Sequence, residues 1–124
     1  MEDVTRAGRV RAWGLAFGWA TLIWVASSVS SPRLPSLGRL PVDKLLHAAI
    51  FGALCWLVLR AITVGAKRTL GAAATAVAIA GAYGWVDELH QRFVPGRDSS
   101  MGDVAADVLG ATVVAGIAYI FRPA

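Results

Sequence analysis

Charge is spaced along this chain in a way that leaves few folds open. No Asp, Glu, Lys or Arg occurs between Arg11 and Arg33, and none between Arg68 and Asp87. A transmembrane helix needs about 20 mostly apolar residues, and each gap can hold one. Two further runs, after Lys44 and after Asp107, are almost as apolar. With 56% of residues hydrophobic and only 16% charged, the chain is too apolar for a soluble domain of 124 residues. The formal net charge of +4 then reads as flanking charge set by membrane insertion, and nucleic acid is not an expected partner.

The reading is an all-α polytopic membrane protein: a four-transmembrane-helix bundle with polar residues clustered at one membrane face. A basic N-terminal tail, 1–11, precedes a single membrane domain, 12–122, with spans at about 12–29, 43–62, 70–91 and 100–121. The run from Ala12 is longer than a signal-peptide core and lacks a small-residue cleavage site after it. Gly14 and Gly18 form a G-x-x-x-G pattern that suits close helix approach, and Trp13 suits a membrane interface. Pro32, Pro35 and Pro41 make Ser30–Pro41 a loop, and Pro95-Gly96 marks a turn between the last two spans. The single cysteine, Cys55, excludes an intramolecular disulfide and a cysteine-based metal site, and is expected in the core.

Four spans place both termini on one side. Arg6, Arg9, Arg11, Arg60, Lys67, Arg68 and Arg122 fall there, against Arg33, Arg39, Lys44, Arg92 and Arg97 opposite. The positive-inside rule therefore favours cytoplasmic termini. All six acids beyond the tail fall at the other face: Asp43, Asp87, Glu88, Asp98, Asp103 and Asp107.

The acids fall into helical stripes. Asp43 and His47 are i, i+4 on the second span, and Glu88 and Gln91 are i, i+3 on the third. Asp103, Asp107 and Gly110 are i, i+4, i+7 on the fourth. Lipid penalises such stripes, so they are expected to turn inward at one depth, with Lys44 and Arg97 as the nearest cations. Asp87, His90 and Arg92 lie off these stripes and are expected in ordinary interfacial roles. Each residue also has a plain structural reading. Ser100-x-x-Asp103 outlines a capping box, Asp43 suits a helix N-terminus, His47 suits a packed core, and Lys44 suits an interface anchor.

The ordered set Asp43-Lys44-x-x-His47, Glu88-x-x-Gln91, Phe93-x-Pro95-Gly96-Arg97 and Asp103-Val-x-x-Asp107-x-x-Gly110 resembles the VanZ-like family of small membrane proteins over roughly residues 25 to 118. The family pattern usually carries Asn where this chain has Asp107. The family is named for a protein linked to resistance to teicoplanin, a lipoglycopeptide. The resemblance implies a multi-pass protein of the bacterial cytoplasmic membrane, and with the termini in the cytoplasm the polar cluster is expected on the outer face.

Three functions follow as expectations. A binding protein would hold a membrane lipid or lipid-linked cell-wall precursor headgroup through Asp43, Lys44, Gln91, Arg97 and Asp107. An enzyme acting on such a headgroup would use His47 and Glu88 for proton transfer, with Asp103 orienting one of them. A structural module would use the same polar groups to hold the helices in register, with a homo-oligomer as one form of assembly. The carboxylates also admit a divalent cation, although their spacing does not identify one.

Overall fold

A computed structural model describes residues 1–29, 42–97 and 99–124. Four helices follow one another: α1 (Glu2–Ser28), α2 (Val42–Ile62), α3 (Leu70–Gln91) and α4 (Met101–Ile120). The expected loop at 30–41 and Asp98 lie outside the described residues. Helices α2, α3 and α4 are long and apolar enough to cross a membrane. At about 1.5 Å per residue each reaches roughly 30 Å, the thickness of a hydrocarbon core.

The first helix begins earlier than its apolar run. It starts at Glu2 rather than Ala12, so the basic tail forms its opening turns. Glu2 and Asp3 lie in the first turn, where acids complement the positive end of the helix dipole. Thr5 Oγ1 donates to Glu2 O at 2.8 Å. No Gly or Pro interrupts the joint between tail and apolar run except Gly8 and Gly14, which a helix tolerates.

α2 is the central element, packing against α1, α3 and α4, whereas α1 and α4 do not meet among the described residues. The core sets large side chains on α2 against small ones on its neighbours. Phe51, Leu54, Cys55, Val58 and Leu59 face Ala73, Ala76 and Ala80 of α3 and Ala111, Ala115 and Ala118 of α4. Cys55 is buried in that core, as expected. The backbones of α2 and α4 approach closely at Gly110, where a Cβ would collide with the carbonyl of Ala48. No other residue can sit there without pushing α2 and α4 apart.

Along its middle, α1 is held to this unit by two long-range hydrogen bonds. Trp19 Nε1 donates to Ile50 O at 3.0 Å, and Tyr83 OH donates to Ala20 O at 2.5 Å. Its close contacts do not use Gly14 and Gly18, since a Cβ on either would meet nothing within 4 Å. Trp13 packs partly against the core and its ring lies 6.0 Å from that of Phe17. The outer surface is strongly apolar, with Phe17, Leu22, Leu45, Leu109, Ile117 and Phe121 all exposed. That distribution, apolar outside and polar inside at one end, suits lipid as solvent.

Candidate functional site

The antiparallel order of α2, α3 and α4 brings the start of α2, the end of α3 and the start of α4 to one end of the bundle. There Asp87, Glu88, Gln91, Asp103 and Asp107 are all buried. The four carboxyl residues are 2%, 2%, 3% and 1% exposed in chain order, so all four are removed from water.

Lys44 and His47 partner α4. The Lys44 ammonium pairs with Asp103 Oδ1, lies 3.1 Å from Ser100 Oγ and stands 3.8 Å from Asp43 Oδ2. His47 Nδ1 is 2.9 Å from Asp107 Oδ1, and its Nε2 is 3.9 Å from Asp103 Oδ2. A carboxylate on one ring nitrogen fixes the ring's orientation and leaves the other nitrogen for a ligand or proton. Asp43 itself is half in solvent, with its side chain 59% exposed.

The expected capping box is made in a different way. Ser100 is the N-cap of α4, and its hydroxyl accepts from Asp103 N at 3.2 Å. The reciprocal bond, from the acid three residues on, does not form, because Asp103 turns to Lys44. Instead Glu88 Oε1 of α3 accepts from Ser100 N at 2.6 Å. An orphan helix donor is thus satisfied from a neighbouring helix, and Asp103 is released into the cluster.

Two placements depart from expectation. Asp87 is not interfacial: it is buried, with Oδ2 3.5 Å from Gln91 Nε2, which also donates to Ser27 Oγ of α1 at 3.2 Å. Asp87 and Gln91 are i, i+4, the spacing that joins Asp43 to His47, so this member was legible in the sequence. Ser27 carried no such signal. Arg97 does not balance the acids by any hydrogen bond or ion pair among the described residues. Its Nη2 donates to Ala26 O at 2.6 Å and its Nε to Val29 O at 3.0 Å, closing the C-terminus of α1. A cation there meets the last carbonyls of α1 and the negative end of the dipole. The Pro95-Gly96 turn presents it, with Arg97 N donating to Val94 O at 3.2 Å. His90 also serves α1: its ring stacks on Trp24 at 3.9 Å between centroids, and Nε2 lies 2.8 Å from Ser28 Oγ. Arg92 Nε donates weakly to Ser99 Oγ at 3.4 Å.

The cluster is therefore rich in acid. Of its four buried carboxyl groups, Asp103 bonds the Lys44 ammonium and Asp107 the His47 ring, while Asp87 and Glu88 bond no cation among the described residues. Three carboxyl oxygens, Asp87 Oδ1, Glu88 Oε2 and Asp107 Oδ2, are buried with no hydrogen-bond partner among the described residues. Among the described residues, Asp43, His47 and Asp103 each offer a ligand atom, all within 4.8 Å of one another, a set that could hold a metal ion. Asp103 can give such an ion only the oxygen that Lys44 leaves free.

The fold and this end of it define a class: a small helical membrane protein with a buried, acid-rich polar cluster where three helices converge. The family model for VanZ/LLP1 matches residues 6–122, nearly the whole chain, and the chain belongs to that family. No curated protein and no solved structure matches it.

Proposed function

We propose that this VanZ/LLP1 membrane protein binds a lipid or lipid-linked cell-envelope headgroup at its acid-rich end, and thereby modulates resistance to lipoglycopeptides of the teicoplanin type. The observation that carries the reading is the set of buried carboxyl oxygens on Asp87, Glu88 and Asp107 that have no partner among the described residues. An unsatisfied buried acceptor costs about 1–3 kcal/mol, so donors from a bound headgroup (ammonium, hydroxyl or amide) would recover that cost on binding. Lys44, which pairs with Asp103, is a cation at this end that can meet a headgroup phosphate. In the proposed setting, the termini are in the cytoplasm and the cluster faces the outer leaflet of a bacterial cytoplasmic membrane, as the basic residues favour.

The test is survival. Wild type, Glu88→Gln and Asp103→Asn are expressed in a susceptible bacterium at equal membrane levels and challenged with teicoplanin. Protection by wild type alone supports the reading. Equal protection by all three refutes the cluster as the site, and no protection by wild type refutes the resistance role.

A second reading is favoured by one feature. His47 is oriented through Nδ1 by Asp107, which leaves Nε2 placed as a general base beside Asp103. Chemistry on a lipid-linked headgroup would then require His47. Turnover of a bound precursor by wild type and none by His47→Gln would support an enzyme; binding without product would refute it.

A further inference from the structure

The end of the bundle away from the cluster carries a second arrangement, which does not rest on the function proposed above. We propose that it is a seat for one anionic phospholipid, with the headgroup phosphate on Lys67, Arg68 and Arg122 and an acyl chain between α2 and α4. A cavity of about 430 Å³ is lined by these three cations with Ile120, Pro123 and Ala124, and by no acidic side chain. None of the three forms an ion pair with an acidic side chain among the described residues, in contrast to Lys44 at the other end.

Two aromatic rings hold the guanidinium groups in place. Arg68 Cζ lies 4.8 Å from the centre of the Trp56 ring, and Arg122 Cζ lies 3.9 Å from that of Tyr119. Arg122 Nη1 also donates to Tyr119 O at 2.5 Å. Each guanidinium is planar, so stacking on one face leaves its remaining edge donors free for a phosphate.

Arg68 also marks the mouth of an apolar groove. That groove is lined by Trp56 on α2, by Val114, Ile117 and Ala118 on α4, and by Phe121. It exposes far more apolar than polar surface. A basic pocket and an apolar groove that share one arginine match the two halves of a phospholipid. A soluble anion would use only the first, and a neutral lipid only the second. Basic pockets between membrane helices commonly take anionic headgroups by this division of labour.

The experiment uses the full chain, delipidated in a mild detergent and incubated with phosphatidylglycerol or phosphatidylcholine, with bound lipid read by native mass spectrometry. Phosphatidylglycerol is expected to be retained preferentially. Arg68→Gln with Arg122→Gln should lower that retention by more than about tenfold, since one cation near an anionic headgroup contributes about fivefold. Removing the same charge from α1, by Arg6→Gln with Arg9→Gln, should change it less than about twofold. Equal losses in the two pairs would overturn the site in favour of diffuse charge. Displacement by an equal concentration of soluble glycerophosphoglycerol would overturn the acyl-chain half and leave a free phosphodiester as the ligand. If the double variant does not elute as folded protein, a salt titration of wild type decides. Retention of phosphatidylglycerol that does not weaken with salt overturns the proposal.

Discussion

Asp107 is the residue at which the polar cluster can be tested with one atom. Its Oδ1 lies 2.9 Å from His47 Nδ1, and its Oδ2 is buried without a partner among the described residues. Asp107→Asn can keep the first contact, because an amide oxygen accepts from an imidazole N–H. It replaces the second oxygen with an NH₂ and removes a negative charge from a site that holds four carboxyl groups. The bond to His47 changes from charge-assisted to neutral, a loss of about 1 kcal/mol, which relief of the crowding among buried carboxyl groups offsets. Asp107→Ala deletes both contacts and leaves His47 Nδ1 unpaired. An interhelical hydrogen bond in a membrane is worth about 1–2 kcal/mol, and stranding its partner raises the loss to about 1–3 kcal/mol. The assay is thermal unfolding of detergent-solubilised protein, followed by helical circular dichroism. The expected order of midpoints is Asn at or above wild type, with Ala below both. If Asn is as damaging as Ala, the second oxygen carries a necessary charge, and the account of Asp107 as incompletely paired is wrong.

Other outcomes follow from the packing. Gly110→Ala places a methyl group against the backbone of Ala48, which cannot move as a side chain can. The loss should be at least about 1–3 kcal/mol, the usual cost of overpacking, read as a lower unfolding midpoint than that of Gly116→Ala, where a Cβ meets open space. Arg97→Ala removes the donors to Ala26 O and Val29 O, so backbone amide exchange should rise at the end of α1 and stay unchanged at His47 and Asp103. Cys55, fully enclosed between α2 and its neighbours, should resist maleimide labelling in the folded protein and react once it is unfolded in strong denaturant.

Much of the architecture could be read from composition alone, and for one physical reason. Lipid demands long, internally hydrogen-bonded apolar helices, so the apolar runs give the number of helices, and the turn residues and charges flanking them place the ends of α2, α3 and α4 to within a residue or two. The start of α1 was not legible in the same way, because Arg6, Arg9 and Arg11 break the apolar run without breaking helical backbone. The stripes through Asp43 and His47, Glu88 and Gln91, and Asp103 and Asp107 were likewise visible, since helical periodicity places i, i+3 and i+4 on one face.

Sequence by itself thus determined which helices carry polar stripes and at which end those stripes lie. Tertiary structure alone decided the partners. Periodicity gives a direction around one helix and no distance to another. It could not show that Glu88, and not Asp103, satisfies the Ser100 N–H, or that Lys44 then takes Asp103. Nor could it show that Arg97 closes the end of α1 rather than meeting the acids. Those choices depend on the close approach at Gly110 and on where α1 lies against α3. Among the described residues they leave a buried site with more carboxyl groups than bonded cations.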